Sequence, residues 1–507
     1  MTAANSSIRV NKIKPLNLLP LFPVIFFFLH NLNQYGSLII SGDIFFLSFA
    51  YSVLSFLIYS FSRYILKTTL LQSLIISTLA MTCFLFYGII QDYLLSFTSI
   101  PLLSNSLFLL IAITSFLTGI TIYFKKKKVE PGPVARYIFW LFSILVIYEV
   151  ILLTIFETPG KKYDAITNQL VSPVLKDLPV SNAEQPDIYH IIFDGYTNRH
   201  TLNSYWGYDN DICDFLALNN FYTVDSATSN YNFTPLSMAS VFNLQYLKDA
   251  DQLLERNAAN FFRGLKPYNN NELFQFLQKK GYELSLFSHL NETKELTALG
   301  NFAPEKPVQW LRKQTLERVY LNPWIISKFK KAMGIKEELP EPVKKSLRHY
   351  ADYNQRALKH VIDDCKNRGK PPVFSFTHFL LPHEPYVFDE RGNVSITVKS
   401  PADDMNNYLT QIKYANTLIR QIINCLLSDT TRKKIIIFQG DHGYRSYINA
   451  PAAREYEALS AFYFFDSDYT GMNKHMSMVN TYRIVMNKYF NARLPCLTDS
   501  IMQEKRK

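Results

Sequence analysis

Five long apolar runs in the first third of the chain restrict its fold more than any other feature of the sequence. Each run approaches the roughly 20 residues that an α-helix needs to cross a bilayer. In this chain of 507 residues the runs cover about 16–34, 44–61, 68–91, 100–124 and 137–156. We therefore expect a multi-pass α-helical membrane domain over residues 1–156, with five transmembrane helices, and we exclude a single soluble globule.

The charged residues divide the chain at about Gly160. Up to this residue lie only 10 of the 53 Lys and Arg residues and 5 of the 42 Asp and Glu residues. The formal net charge is +11, and about half of it lies in this first part, where basic residues flank the apolar runs. The remainder is spread over a long chain, so we expect a membrane as a partner and no nucleic acid.

The loops between the apolar runs alternate in charge. Basic residues stand before the first run, after the second and after the fourth, at Arg9, Lys12, Lys14, Arg63, Lys67 and Lys125 to Lys128. The other loops hold Asp43 and Asp92. The positive-inside rule then puts the N-terminus in the cytoplasm. Five crossings put everything after about residue 156 on the extracytoplasmic side of a cell inner (plasma) membrane.

Two features of the runs allow more than one interpretation. The first run contains Pro20 and Pro23 and could be a cleaved signal peptide. It lacks a small-residue cleavage motif and four further runs follow, which favours a retained helix. Glu149 lies within the fifth run, where a carboxylate is costly. It serves either a function or the packing of paired helices.

The later part of the chain has the pattern of an α/β domain. After a polar, proline-containing linker at 157–186, short runs rich in β-branched and aromatic residues alternate with helical patterns. The predicted strands and helices cover 188–193, 271–280, 284–287, 373–376, 406–427, 435–438 and 461–465. We expect residues 187–507 to form an extracytoplasmic domain with a mainly parallel sheet. Residues of about 250–341 are expected to be a helical insertion or cap.

The five cysteines leave the disulfide pattern open. Cys83 lies in an apolar run, whereas Cys213, Cys365, Cys425 and Cys496 lie in the outer domain, where disulfides can persist. Four cysteines allow three pairings, and the sequence does not choose among them. None has the CxxC spacing of a metal or redox site.

Residues that could hold a metal follow directly after two predicted strands. Asp194 follows the first strand, and Asp441 with His442 follows the fourth, between Gly440 and Gly443. Sites in parallel sheets form beyond the carboxyl ends of the strands. A carboxylate and an imidazole there suit a divalent metal, zinc or manganese. Asp194 taken singly could also be an ordinary turn residue.

A threonine at a predicted helix start is the candidate nucleophile. Thr234 precedes Pro235 and a stretch with apolar residues at helical spacing. Thr at N-cap followed by Pro is a common helix start, so Thr234 could simply be a cap. The free N–H groups of a helix N-terminus also favour phosphate oxygens, and a metal bound to the hydroxyl would activate it as a nucleophile.

Two histidines lie close together in a proline-containing turn after the third predicted strand. His378 and His383 are separated by five positions, and the chain has ten histidines in all. A single histidine is more often structural than functional. This pair favours a contact with a substrate phosphate or with its leaving group.

Taken together, the motifs and the order of five spans, linker and outer α/β domain resemble the sulfatase and alkaline phosphatase superfamily. They look most similar to its membrane branch, which includes lipoteichoic acid synthases and phosphoethanolamine or phosphoglycerol transferases. By that resemblance Thr234, in a T-x-x-S pattern, is the nucleophile and a metal ligand. Asp194, Asp441 and His442 are the other ligands, and His383, in His-x-Pro-Tyr, binds the substrate phosphate.

The chain departs from the family pattern in three places. The transferases usually have Glu at the first acidic position, where this chain has Asp194. Sulfatases carry Cys or Ser in C/S-x-P-x-R, whereas residues 234–238 contain no Cys and no Arg, which argues against sulfate ester hydrolysis through formylglycine. A further histidine expected after the Asp-His pair has no close match, and Arg445 or His475 could serve instead.

The resemblance implies a membrane-bound phosphotransferase. It would move a substituted phosphoryl group from a phospholipid donor to a surface glycan or lipid acceptor through a phosphothreonine at Thr234. Two alternatives stay open at this point. One is a sulfatase-like hydrolase of phosphate or sulfate esters on extracellular polymers, and the other is a non-catalytic membrane-anchored protein of envelope assembly.

Overall fold

The chain forms two compact units. The computed structural model describes residues 14–97, 105–127, 131–175, 185–291, 293–299, 304–321, 334, 339–366, 369, 371–397, 404–445 and 452–503. The first unit is Met1–Ala165 with Lys306–Glu338, and the second is Ile166–Glu305 with Leu339–Lys507. The sequence pattern alone does not reveal that the segment from Lys306 belongs with the first unit.

The first unit contains the five helices expected from the apolar runs. They are α1 (Phe22–Tyr35), α2 (Gly42–Ser60), α3 (Leu70–Phe97), α4 (Ser106–Lys127) and α5 (Gly132–Ile155). With their short flanking helical turns they make five spans long and apolar enough to cross a membrane. The prolines of the first run do not interrupt α1. Pro20 lies in a 3₁₀ helix, Lys14–Leu21, that precedes it, and Pro23 lies in its first turn, where a proline is tolerated.

Glu149 is buried in this unit by pairing between α1 and α5. It is 3% exposed. His30 Nδ1 donates to Glu149 Oε1 at 2.9 Å, and Asn33 Nδ2 donates to Oε2 at 2.6 Å. Both carboxylate oxygens therefore have donors, as a buried charge requires. These contacts support the helix-packing interpretation of Glu149.

Two short helices from the later sequence pack within the first unit. They are α13 (Pro307–Gln314) and α14 (Arg318–Leu321). Arg318 donates to Asp92 at 2.8 Å and to the carbonyl of Gly88 at 2.8 Å. Leu311 is fully buried in a cluster with residues of α1, α2 and α3. Part of the expected insertion at 250–341 is thus a component of the helical unit, and its basic stretch at 328–331 lies outside the described residues.

The second unit is built on a six-stranded sheet. Its strands are β1 (Asp187–Phe193), β2 (Tyr222–Thr223), β3 (Glu283–Phe287), β4 (Val373–Phe379), β5 (Lys434–Gln439) and β6 (Ser460–Phe464). The strand order is β2-β6-β5-β1-β4-β3, with β5, β1, β4 and β3 mutually parallel. Strand β6 runs antiparallel to β5, and β2 pairs antiparallel with β6. The expected mainly parallel sheet is confirmed, with an antiparallel margin.

Helices cover this sheet and complete the unit. In chain order they are α7 (Arg199–Trp206), α8 (Ile212–Leu218), α9 (Thr234–Phe242), α10 (Ala258–Asn269), α11 (Glu272–Lys279), α12 (Thr293–Leu299), α15 (Glu341–Lys366), α16 (Asp404–Ser428) and α17 (Thr481–Phe490). Before them in the chain comes α6 (Pro159–Gln169), whose residues up to Ala165 are assigned to the first unit. The two longest, α15 and α16, bury one apolar face each in the core beside β1 and β5. Helix α6 makes part of the predicted linker helical.

A disulfide joins the ends of α15 and α16. It pairs Cys365 with Cys425, whereas Cys83, Cys213 and Cys496 are free thiols. Of the four outer cysteines, two therefore form a disulfide, and Cys213 and Cys496 do not pair with each other. The bond fixes the two helices that carry most of one sheet face.

The strand register brings the ends of β1, β4 and β5 to one edge. Phe193 is level with Phe379, and Ile192 is level with His378 and with Gln439. Residues that follow these positions therefore emerge side by side. This is the edge at which the sequence predicts a site.

Candidate active site

The turn after β1 holds Asp194 in the interior of the second unit. Asp194 is 5% exposed, and its backbone N–H donates to Phe379 O at 3.0 Å. Gly195 follows with φ +70°, a conformation that favours glycine. The Gly195 N–H donates to Asp441 Oδ1 at 2.9 Å, which ties this turn to the one after β5.

Close backbone packing explains the two glycines around Asp441 and His442. A Cβ on Gly440 would overlap the carbonyl oxygen of Tyr196, and one on Gly443 would overlap that of Glu457. The chain between β5 and β6 must therefore turn without side chains at these two positions. Both functional candidates between them are buried, with Asp441 0% and His442 1% exposed.

The side chain of His442 faces both Asp194 and Asp441, and two groups of potential ligands, Asp194 with His383 and His442 and Asp194 with His378 and Asp441, each have their ligand atoms within 4.8 Å of one another. His442 Nε2 lies 3.3 Å from Asp194 Oδ1 and 3.5 Å from Asp441 Oδ2. These three atoms are buried and have no hydrogen-bond partner among the described residues. The His442 Nδ1–H donates to Gly443 O at 2.7 Å, so Nε2 faces the two carboxylates, and its lone pair is available to a metal when the ring is neutral. Facing lone pairs of this kind fit a divalent cation.

The charge state of Asp194 agrees with that fit. Burial by itself would raise the pKa of this carboxyl. The facing His383, together with the His378 and His442 rings beside Asp194, outweighs burial and holds the pKa of this carboxyl well below its ordinary range. Asp194 is therefore an anion at neutral pH, as a metal ligand must be.

Thr234 stands at the N-terminus of α9 and differs in one respect from the expectation. It is the first helical residue rather than the N-cap, which is Phe233 in an extended conformation. The interpretation of Thr234 as a side-chain cap is therefore wrong. Thr234 is 6% exposed and its hydroxyl makes no hydrogen bond within the described part of the chain. It lines a cavity together with Asp194 and His383.

His383 and Arg445 form a pair beside these residues. The His383 Nδ1–H donates to Glu384 O at 2.8 Å, and Arg445 Nη2 donates to His383 Nε2. Arg445 Nη1 also donates to Asn232 O at 3.1 Å. Burial, together with the Arg445 and His442 charges, lowers the pKa of His383 despite the opposing effect of Asp194. The imidazole is therefore neutral at pH 7.

His378 and His475 are placed differently from His383. His378 Nε2 lies 3.6 Å from Asp194 Oδ2, and the His378 side chain is fully buried. Among the described residues, His378 is not one of those that line the two cavities at this site, which are described below. His475 is exposed and also lines neither, whereas Arg445 lines both.

The structure adds His289, which the sequence reasoning missed. It follows β3 by one residue, and its ring centroid lies 4.9 Å from that of His378. It is 5% exposed, its Nδ1 has no hydrogen-bond partner in the described residues, and burial lowers its pKa to about 3. The signal was present, because His289 follows a predicted strand just as Asp194 does.

Two cavities open beside the converging side chains. The small cavity has a volume of about 120 Å³ and is walled by Asp194, Phe233, Thr234, Phe261, His289, Leu299, Pro304, Tyr350, Leu380, His383, Glu384 and Arg445. The large cavity has a volume of about 350 Å³ and is walled by Gly195, Phe233, Arg256, His383, Glu384, Tyr386, Tyr408, His442, Gly443, Tyr444 and Arg445. The two share His383, Glu384, Arg445 and Phe233, so a group held at His383 reaches both.

The family model described as Sulfatase matches residues 202–475 of the chain, which is more than half of it. The match includes Thr234, His383, Asp441 and His442, and Asp194 lies just before it. No curated protein matches the chain.

Solved structures with a similar arrangement share little sequence with the chain. The zinc complex of the C-terminal periplasmic domain of EptC from Escherichia coli is 11% identical, with 66% of this chain and 95% of that one covered and a TM-score of 0.40. The soluble domain of lipooligosaccharide phosphoethanolamine transferase A from Neisseria meningitidis is 13% identical, with coverages of 62% and 92% and a TM-score of 0.36. The integral membrane form of that transferase is 13% identical, with coverages of 94% and 95% and a TM-score of 0.37.

Proposed function

Because this chain belongs to the sulfatase family, we propose that it is a membrane-bound, metal-dependent phosphotransferase. It moves a substituted phosphoryl group, of the phosphoethanolamine or phosphoglycerol type, from a phospholipid to a surface glycan or lipid. The observation that carries the proposal is the convergence of Asp194, Asp441 and His442 beside the unbonded hydroxyl of Thr234, in a chain with five membrane-length helices.

Asp194, Thr234, Asp441 and His442 would hold the metal. Carboxylate oxygens and an imidazole nitrogen are ligands that zinc and manganese both accept, and we propose one of these two ions. When bound, it would neutralise phosphoryl charge and favour the alkoxide form of a threonine hydroxyl. His378 acts as a positioning residue, because it contacts Asp194 rather than a cavity.

Thr234 is the proposed nucleophile. Its oxygen attacks the phosphorus of the donor phosphodiester, a bond from Thr234 to phosphorus forms, and the bond to the diacylglycerol oxygen breaks. The diacylglycerol oxygen takes up a proton as it leaves, and Thr234 has lost one.

The second half of the reaction returns Thr234 to its free state. An acceptor hydroxyl attacks the phosphothreonine, a bond from the acceptor oxygen to phosphorus forms, and the bond to Thr234 breaks. His383 Nε2, once it leaves its hydrogen bond from Arg445 Nη2, takes the proton that the acceptor hydroxyl releases, and that proton restores the Thr234 hydroxyl. The Arg445 guanidinium neutralises phosphoryl oxygens in both steps.

Two observations support an extracytoplasmic location for the catalytic unit. Basic residues alternate along the loops of the apolar part, as the positive-inside rule requires for this orientation. The Cys365–Cys425 disulfide is typical of an oxidising compartment. In this orientation a phospholipid of the outer leaflet is available as donor.

The experiment uses the full-length protein in nanodiscs that contain fluorescent-acyl phosphatidylethanolamine or phosphatidylglycerol. We expect metal-dependent release of fluorescent diacylglycerol and a phosphorylated Thr234 in peptide mass spectra. Thr234→Ala should abolish both, and Thr417→Ala, an exposed threonine on α16, should abolish neither. If neither lipid yields diacylglycerol or a phosphothreonine, the transferase proposal fails. Release that continues at an unchanged rate without any acceptor would favour the hydrolase instead.

A further inference from the structure

The large cavity contains a cation that the proposed phosphoryl chemistry does not use. Arg256 lines this cavity but not the small one that holds Thr234. Within the described residues its ion pair is with Glu455, at the long distance of 3.8 Å. Glu455 Oε2 also accepts a 2.7 Å hydrogen bond from Asn232. Arg256 is thus only weakly neutralised, and its side chain is 39% exposed.

Arg445 gives the same cavity a second guanidinium. Burial lowers the pKa of Arg445, Asp194 opposes this shift, and the charge of Arg256 adds to it. Glu455 pairs with Arg256 at 3.8 Å but does not line the cavity. Among the described residues that do line it, Arg256 and Arg445 carry guanidinium groups and Glu384 carries the carboxylate, a balance that favours anions.

Arg445 and Arg256 lie at different positions relative to the proposed phosphoryl site. Arg445 is bound to His383 and to the carbonyl of Asn232, so it stays beside the phosphoryl position. The ion pair of Arg256 within the described residues is the long one with Glu455, and of the two cavities Arg256 lines the large one. An anion held by Arg256 is therefore a second group on the bound molecule, distinct from the phosphoryl group that is transferred.

Aromatic rings line the same cavity as the two charged guanidinium groups. Tyr386, Tyr408 and Tyr444 are 6%, 1% and 4% exposed, and the rings of Tyr408 and Tyr444 lie 4.5 Å apart. Tyr408 OH donates to Gly195 O at 2.7 Å, which holds its ring in place. These nearly buried rings give the cavity a rigid aromatic wall beside its charged side chains.

The sizes of the cavities separate the two parts of the reaction. The large cavity, at about 350 Å³, has nearly three times the volume of the small one, at about 120 Å³. The small cavity holds the nucleophile and suits the short substituent that travels with phosphorus. The large cavity has room for the ring of an acceptor.

We propose, on the basis of the phosphotransferase function above, that the large cavity is the acceptor subsite and that Arg256 selects acceptors with a second anionic group. The acceptor is a sugar, free or at the head of a glycan or lipid, that carries a phosphate or carboxylate close to the hydroxyl that attacks. Arg256 binds that anion, and the tyrosines pack on the ring.

Binding is measured first, without turnover. Full-length Thr234→Ala protein in nanodiscs is titrated by calorimetry with methyl α-glucoside, glucose 1-phosphate and glucuronic acid. We expect the two anionic sugars to bind about tenfold or more tightly than the neutral one, because a charge-assisted hydrogen bond contributes that order of affinity. Adding Arg256→Gln should remove the preference, Arg256→Lys should keep part of it, and Arg420→Gln, an arginine on the exposed side of α16, should leave it intact. Equal binding of the three sugars, or a preference that survives Arg256→Gln, overturns the proposal.

Turnover then separates this inference from the proposed function. Active protein with a labelled phospholipid donor receives an equimolar mixture of methyl α-glucoside and glucose 1-phosphate, and the ratio of the two labelled products is measured. The ratio does not depend on the amount of folded protein. We expect the anionic product to dominate about tenfold in the wild type and the ratio to approach one in Arg256→Gln. A binding preference without any labelled product means that the phosphotransferase proposal has failed while the anion site stands. Product without a preference means the reverse.

Discussion

His442 Nε2 and Asp194 Oδ1 lie 3.3 Å apart, and neither atom has a hydrogen-bond partner among the described residues. One residue follows β1 and the other follows β5, so the fold itself brings them together. Two buried acceptors at this distance repel each other unless a cation lies next to both. The relationship predicts how the protein responds to loss of metal or of charge.

Removal of metal should lower both activity and thermal stability. A chelator should abolish diacylglycerol release, and zinc or manganese should restore it. Free metal at about 100 times its dissociation constant stabilises the native state by about 2.7 kcal/mol. Differential scanning fluorimetry with and without chelator measures the change in Tm.

The variant Asp194→Asn distinguishes the effect of metal binding on stability from the effect of the Asp194 charge. The substitution removes a buried carboxylate whose pKa the native protein holds below its ordinary range, so it also removes the stability that this charge contributes above the ordinary pKa, and the metal-free variant should be less stable than the metal-free wild type. It should show no rise in Tm when metal is added. A variant that still gains the full wild-type rise would contradict the role of Asp194 as a ligand.

Thr234→Ser should keep the reaction, whereas Thr234→Ala should lose at least about 10³-fold in rate. Serine keeps a hydroxyl at the N-terminus of α9, where the side chain makes no other hydrogen bond in the described residues. Mass spectrometry of the serine variant should find the phosphoryl group on residue 234. Phosphorylation at another residue in both proteins would disprove the assignment of the nucleophile.

Acid should destabilise the catalytic unit through two buried histidines. Burial lowers the pKa of His190 and of His289 to about 3, from an ordinary value of 6.5. The unfolded chain therefore takes up protons near pH 6.5 and the native protein does not. The stability of the neutral native form is complete above pH 6.5 and is lost as pH falls towards 3, by up to about 1.4 kcal/mol per histidine per pH unit.

The pH effect is measured as the difference in Tm between pH 7 and pH 5. His190→Gln should reduce that difference, because its imidazole lies at the centre of β1 between Gln439 and Tyr482. His475→Gln, at an exposed position, should leave it unchanged. An unchanged difference in His190→Gln would assign the acid sensitivity to other groups.

The Cys365–Cys425 disulfide should contribute substantially to stability. It closes a loop with a sequence separation of 60 residues. A loop of this length restricts the unfolded chain by about 4 kcal/mol in the chain-entropy model. The double variant Cys365→Ser, Cys425→Ser should therefore have a clearly lower Tm, and Cys496→Ser, at an exposed free thiol, should not. Non-reducing mass spectrometry of the wild type checks that the bond is present.

The sequence predicts the fold and the principal site residues for one physical reason. Strands alternate with helices, so the ends of parallel strands must meet at one edge, and Asp194, Asp441 and His442 directly follow such ends. The family resemblance adds the role of Thr234, which the residue pattern leaves open between a cap and a nucleophile. The antiparallel pairing of β6 is not evident from its composition, because buried parallel and antiparallel strands are equally apolar.

Other residues of the site depend on packing that a sequence does not encode locally. Arg256, in the loop before α10, reaches the large cavity only because this loop and the chain after β5 are brought together. No strand end or motif marks it. The placement of α13 and α14 has the same origin, since Leu311 is apolar in a segment that otherwise has the composition of a polar loop.

The membership of α13 and α14 in the helical unit has a practical consequence for work on the catalytic unit alone. Deleting Met1–Ala165 would strip Leu311 and Arg318 of their partners and expose an apolar face on an otherwise water-soluble protein. A truncated protein designed for crystallography should therefore also lose Lys306–Glu338, with a flexible polar bridge in its place. In this protein the boundary of the soluble part is a set of three cuts in the chain, not one.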